Sequence, residues 1–411
     1  MPAGRGVLVG HESGFALVIT LVLLALLVLT LYALTALSKA GSEVAATSIY
    51  QTQARQNALL GLHTALGELQ RYAGEDDVLT GMAGITGVPA GAGNPARHWG
   101  GVWDGNGQFF RWLASGASGA VIPLLTGADS LALVASGSLG ADQTDKEHVR
   151  ALLVPITLST SDGTSFQQGS YAWWVGDEGV KLSAVVPDAD APVLGQKHAV
   201  DELIPTLSPT APVMARVEAY AQLAYVPATA LTPGQLQSNL HALGRTHYGY
   251  VGTMRLAGLL NINTTSQRFW RGVAATYNRL KASGAPAIAP ISFANWMRDH
   301  FTAADPGAGK LANGPYPSVD LFLNSTALTQ ALATSGGSLL EFGNVMRPWL
   351  AVRSDTFRIR AYGDALNPSD PTRTEATAWC EAIVQRVKTD PAAPTGRFVV
   401  TYFRWLGPDD I

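Results

Sequence analysis

Eight histidines, one cysteine and a scatter of carboxylates could do chemistry in this chain, and their spacing organises none of them into a site. His11, His63, His98, His148, His198, His241, His247 and His300 show no His-x-His or His-Glu-x-x-His pattern. Those spacings would put two ligands or a ligand and a base on one face of an element. Cys380 stands alone, so neither an intramolecular disulfide nor a thiolate metal cluster can form. It reads as a small apolar residue on the inner face of a strand. Asp305-Pro306-Gly307-Ala308-Gly309-Lys310-Leu311 contains a Gly-Lys pair but lacks the full phosphate-loop frame and its Ser/Thr. Gly116-Ala117-Ser118-Gly119 brings its second glycine one residue too early for a nucleophile elbow. Asp177-Glu178 closes a strand-like stretch. Adjacent strand residues point to opposite faces, so these two are poorly placed as an acid and base. They are expected to be solvated turn carboxylates. No enzyme is expected.

Composition narrows the class further. The chain has 411 residues, enough for two domains or one elaborated domain. Only 14% are charged, 43 are glycine and the formal net charge is -3. No Lys/Arg block appears, so there is no electrostatic footprint for nucleic acid.

The elements that matter begin at the N-terminus. Between Glu12 and Lys39 there is no charged residue. The apolar run 15–37 would rise about 35 Å as a helix, slightly more than the roughly 30 Å hydrocarbon core. A cleaved secretory signal would need a shorter run, although Ala36-Leu37-Ser38 offers a weak site. A plain single-span anchor explains the length but not the helical pattern beyond Lys39. Leu59, Leu62, Leu66 and Leu69 recur at helical spacing, so an amphipathic helix is expected to continue to residue 72. Gly41, Gly61 and Gly67 each weaken that helix by roughly 1 kcal/mol relative to Ala, which favours bends there.

Gly14-Phe15 followed by an apolar run resembles the N-terminus of type IV pilins and type II secretion pseudopilins. The resemblance implies a leader over 1–14, cut after Gly14 by a prepilin peptidase, and methylation of the new N-terminal Phe15. It also implies an α+β fold: a long N-terminal transmembrane-plus-amphipathic helix packed on an antiparallel sheet, with an inserted helical domain. In that family the fifth mature residue is usually Glu, and here it is Ile19. A subunit without that carboxylate buries no charge that needs a partner. The large minor pseudopilin of type II secretion shares this absence and is associated with the fibre tip.

Further segments carry the same resemblance. Tyr171-Ala172-Trp173-Trp174-Val175-Gly176-Asp177-Glu178-Gly179-Val180-Lys181 is similar to a strand and turn of large pseudopilins. Leu260-Asn261-Ile262-Asn263-Thr264 is similar to the motif that opens their helical insertion, although Asn and Thr before a helix are also simple N-cap chemistry. Arg353-Ser354-Asp355-Thr356-Phe357-Arg358-Ile359-Arg360-Ala361-Tyr362-Gly363 resembles a pilin-like group of Verrucomicrobia, the Verru_Chthon cassette proteins. Large pseudopilins can carry calcium in the insertion. Asp299, Asp305 and Asp320 are the candidate hard-oxygen ligands, without EF-hand spacing.

The remaining chain divides into a β-rich part over 73–186, an inserted helical region over 187–340 and a C-terminal antiparallel meander over 341–411. Strands are expected at 149–156, 169–175 and 180–182. Helices are expected at 212–225, 232–243, 266–280 and 291–302. In the meander Phe357, Ile359 and Ala361 alternate with Thr356, Arg358, Arg360 and Tyr362, the pattern of a half-buried strand with one wet face. The expected function is that of a minor pilin or pseudopilin that initiates or tips a pilus-like fibre in type II secretion or type IV pilus-like assembly. Its expected partners are other pilin subunits and the prepilin peptidase, with the helix in the inner membrane and the soluble domain in the periplasm. The alternative is a single-span envelope-anchored protein whose soluble domain binds a polysaccharide or a protein partner. A membrane-anchored hydrolase is a third reading.

Overall fold

The computed structural model describes residues 12–87, 96–123, 125, 127–140, 147–159, 161–187, 197–207, 217, 220–225 and 231–411. The leader expected over 1–14 lies outside them except for the backbone of its last three residues.

The fold is α+β. Helix α1, Glu12–Ala73, is continuous over 62 residues. It passes through Gly41, Gly61 and Gly67 without a break in its helical backbone. Its C-terminal carbonyls meet guanidinium groups: Arg353 donates to Ala73 O (2.6 Å) and Arg386 to Gly74 O (2.8 Å). Positive charge there complements the helix dipole.

After α1 come a three-stranded sheet, β1 Val78–Met82, β2 Gly100–Asp104 and β3 Phe109–Trp112, and a strand pair, β4 Ser130–Val134 with β5 Val149–Leu152. The main sheet is built from β6 Val154–Ser159, β7 Ser165–Asp177, β8 Thr356–Asn367, β9 Asp370–Val387 and β10 Arg397–Leu406. Its order is β10-β9-β8-β7-β6, antiparallel throughout. Among the described residues between β7 and β8 the chain makes four helices of eight residues or more: α2 Gln267–Leu280, α3 Pro290–His300, α4 Thr326–Ser335 and α5 Leu339–Met346.

Local chemistry explains these helices. Ser266, Ser325 and Ser338 are N-caps whose side chains accept from the backbone N–H three residues on. Their shared core is aromatic: Trp270 packs within 5.2–6.4 Å of Phe269, Phe293, Phe301 and Phe322.

One helix expectation fails, and a second lies half outside the described residues. Over 232–243 only Pro233–Gln237 is helical. Asn239 turns its side-chain amide onto Gln235 O (2.9 Å), offering the backbone a local alternative to another turn. The chain then makes a short parallel pairing of Leu243–Gly244 with Leu182–Ser183. Over 212–225 the described part, Tyr220–Tyr225, is a 3-10 helix; residues 212–216, 218 and 219 lie outside the described residues.

Candidate functional site

The feature that dominates the surface is the first half of α1. Phe15, Ile19, Leu27 and Leu37 are exposed, as is every residue from 15 to 49. This is the one described helix long and apolar enough to cross a membrane. The hydroxyls of Thr20, Thr30 and Thr35 donate to the carbonyls of Leu17, Leu27 and Tyr32 at 2.8–2.9 Å. These three threonines therefore bring no unpaired hydroxyl donor into an apolar medium. Ile19 adds no charge to it. Side chains of residues 12–14 lie outside the described ones, so Gly14 is placed only by its helical backbone.

The second half of α1 is held by the sheet. Ala54, Ala58, Leu62, Ala65, Leu69 and Ala73 are buried against Trp173, Val175, Ile359, Ala361, Cys380, Ala382 and Val384. Of the four leucines singled out by spacing, Leu62 and Leu69 lie on this line, while Leu59 and Leu66 pack on its flank. Small residues let the helix come close. A Cβ on Gly363 would sit 2.1 Å from Ala58 N and 2.5 Å from Ala54 O. At that point Asn57 donates to Asp364 O (2.6 Å), and the Asp364 carboxylate accepts from Ser170 N–H (2.6 Å). The exposed half of the helix thus projects from a rigid platform.

On the other face of the same strands the expected wet surface is absent. Arg358 and Arg360 are 2% exposed, and Tyr362 is buried with them. Arg358 Nε donates to Glu178 Oε1 (3.0 Å), and its Nη1 lies 3.5 Å from Glu381 Oε2. Arg360 Nε and Arg404 Nε donate to Glu381 at 2.8 and 3.0 Å, and Lys181 Nζ to Glu178 at 2.5 Å. The reason is coverage: Arg360 Nη1 also donates to Leu133 O (2.9 Å) and Ser138 Oγ (2.5 Å), and Tyr220 lies beneath Arg358. Burial alone would raise the Glu381 carboxyl; Arg358, Arg360 and Arg404 instead hold it well below the usual carboxylate range.

Asp177 and Glu178 are therefore not solvated. They are 3% and 4% exposed, and they do part to opposite faces. Asp177 Oδ2 accepts from Thr80 Oγ1 (3.0 Å) and Asn261 Nδ2 (3.2 Å), and Oδ1 from Gly179 N–H (2.8 Å). Burial pushes its carboxyl up to about 6. Asn261 and Asn263 do not cap α2: their amides reach back to β1 and to Val352 O, and Ser266 is the cap.

Two histidine groups that no spacing announced also form. His98 Nε2 and Glu147 Oε2 are 2.7 Å apart, and His241 Nε2 is 2.8 Å from Glu147 O. His98, Glu147 and His241 form the one described triad of potential metal ligands, with their ligand atoms within 4.8 Å of one another. The two imidazoles, however, stack 3.6 Å apart and within 3° of parallel. An imidazole lone pair lies in the ring plane, so one ion cannot lie in both planes unless a ring turns. Arg97, 3.5 Å from Glu147, adds positive charge. As arranged this is a stacked, hydrogen-bonded ion cluster. In the second group Ser183 Oγ lies 3.0 Å from His247 Nδ1, and Ser183 N–H donates to His198 Nδ1 (2.7 Å). These three residues are 1–2% exposed, which keeps a Ser-His contact from meeting a substrate.

The three aspartates suggested for calcium each have a different partner. Asp299 pairs with Arg298 (2.7 Å), Asp320 pairs with Arg347, and Asp305 accepts from Thr326 N–H (2.6 Å).

No protein-family model and no curated protein matches this chain. Among solved structures, the GspK-GspI-GspJ complex of the enterotoxigenic Escherichia coli type 2 secretion system contains a chain similar to this one. The likeness covers 62% of this chain and 84% of that one, at 12% identity and a TM-score of 0.31. A likeness of that size carries no argument about function.

Proposed function

We propose that the chain is a minor pilin or pseudopilin subunit that initiates or tips a pilus-like fibre of the type II secretion or type IV pilus kind. The observation that carries this reading is the division of α1. Its first half is wholly exposed and apolar, and its second half is locked onto an antiparallel sheet by Ala54, Ala58, Leu62 and Leu69. Apolar side chains over 15–37 suit both lipid and lateral packing against other subunits' helices, so the same surface serves storage in the inner membrane and extraction into a fibre. The soluble domain then stands in the periplasm, and a prepilin peptidase cuts Gly14-Phe15 and methylates Phe15. Ile19 leaves the subunit without a buried carboxylate in the fibre core, which suits a position that needs no preceding neighbour.

Mass spectrometry of the N-terminus of the protein purified from its native membrane tests the reading. The expected species begins at N-methylated Phe15. An intact Met1, or a new terminus near Ser38, overturns it.

A further inference from the structure

The far face of the main sheet holds a cavity of about 370 Å³, at the small end of the roughly 300–1,000 Å³ range of ligand pockets. Its floor is β8–β10, with Arg358, Glu381, Gln385 and Arg404; Arg245, Thr246 and Tyr248 also line it.

Three features of this cavity converge. First, positive charge is in excess. Among the described residues, Lys181, Arg358, Arg360 and Arg404 share two carboxylates, Glu178 and Glu381, and Arg245 joins them on the wall. Burying unbalanced charge is costly, and an anion in the cavity would offset it. Second, Gln385 is 5% exposed and its Nε2 is buried without a hydrogen-bond partner. A buried donor left unmade calls for an acceptor. Third, the hydroxyls of Thr246 and Thr401 already donate to Val185 O (2.7 Å) and Ile383 O (3.1 Å), so toward the cavity they have only acceptor capacity. The fitting ligand brings acceptors with negative charge for the guanidinium groups and Gln385, and hydroxyl donors for the threonines. It also brings a ring-sized body for the half-buried face of Tyr402.

We propose that this cavity is a binding site for a carboxylated sugar, a hexuronate or the end of a uronate chain. Its carboxylate is received by Arg404, Arg245 and Gln385 Nε2, and its hydroxyls by Thr246 and Thr401. Planar guanidinium groups match a carboxylate's two oxygens. Glu178 and Glu381 beside them disfavour a more highly charged phosphate. Such a site is independent of whether the chain assembles into a fibre.

The test is calorimetric titration of the full chain in detergent with glucuronate, with glucose and inorganic phosphate as comparison ligands and a glutamate oligopeptide as an acidic-protein probe. Saturable binding of glucuronate is expected, with at least tenfold weaker binding of the other three. Gln385→Glu is expected to weaken glucuronate binding at least tenfold. Because that change adds a buried acid, Arg404→Gln, at a position 29% exposed at its side chain, is made in parallel with the same expectation, and each variant's melting is recorded. Failure of the folded wild type to bind glucuronate, equal or tighter binding of glucose, phosphate or peptide, or wild-type affinity in a folded variant each overturns the proposal.

Discussion

The two faces of strands β8 and β9 are made by the same alternation and hold the molecule together by opposite means. One face presents Phe357, Ile359, Ala361, Cys380, Ala382 and Val384 to α1. There the stabilisation is close packing of small residues, and the cost of error is steric. The other face presents Arg358, Arg360 and Glu381 to Leu133 and Ser138, and to Tyr220, Ala221 and Arg245. There the stabilisation depends on every charge keeping its partner. The difference teaches that strand periodicity separates residues into two sets, and that what comes to lie on each set decides its chemistry.

The largest break should come from the ionic face. Glu381→Ala strands Arg360 and Arg404 and takes one carboxylate from Arg358, and is expected to cost about 4 kcal/mol of stability, read as a lowered denaturation midpoint. Slightly smaller is the expected loss from Gly363→Ala on the dry face, about 3 kcal/mol. The new Cβ meets the backbone of α1 rather than a movable side chain. Because the clash is with backbone atoms of α1, Ala58→Gly should not rescue Gly363→Ala, and no single apolar replacement of Arg404 should rescue Glu381→Ala.

Acid should fall on the ionic side of the sheet and beyond it. Burial depresses His198 to about 3 and His247 to about 4, against about 6.5 unfolded. Below pH 6.5 the unfolded chain takes up two protons that the folded one does not, and each costs about 1.4 kcal/mol per pH unit. Asp177 works in reverse. Raised to about 6 from 3.8, it holds a proton in the folded state between those values, and so adds stability with the same slope as pH falls. From these three groups the net loss between pH 6 and 4 is about 1.4 kcal/mol per unit, and His98 and His241, which burial also lowers, steepen it. Chemical denaturation at stepped pH reads it directly, and a flat profile over this range would contradict the burial of the two histidines.

Much of the framework was legible in the sequence. The apolar run over 15–37, the leucine spacing beyond it and the alternation at 356–362 are local signals, and they correspond to α1 and β8. The helices expected at 266–280 and 291–302 were equally local, and α2 and α3 are Gln267–Leu280 and Pro290–His300. The burial of the charged face was not legible, because charge on alternate residues ordinarily means solvent. A hint lay in the sequence itself, since a long insertion between two strands of one sheet must pack on something. The histidine groups carried no signal at all, because His98, Glu147 and His241 come from distant segments that only the fold brings into contact.

What the sequence by itself determined is therefore what depends on neighbours along the chain: one helix long enough for a membrane, its passage from apolar to amphipathic character, and strands with two unlike faces. Only the tertiary structure decided which of those faces would be dry, which charges would be buried, and that Glu178 would meet Arg358 across 180 positions. The physical reason is that periodicity fixes where a side chain points, while its dielectric surroundings, and with them its charge, its partners and its cost, are set by whatever segment the fold lays over it.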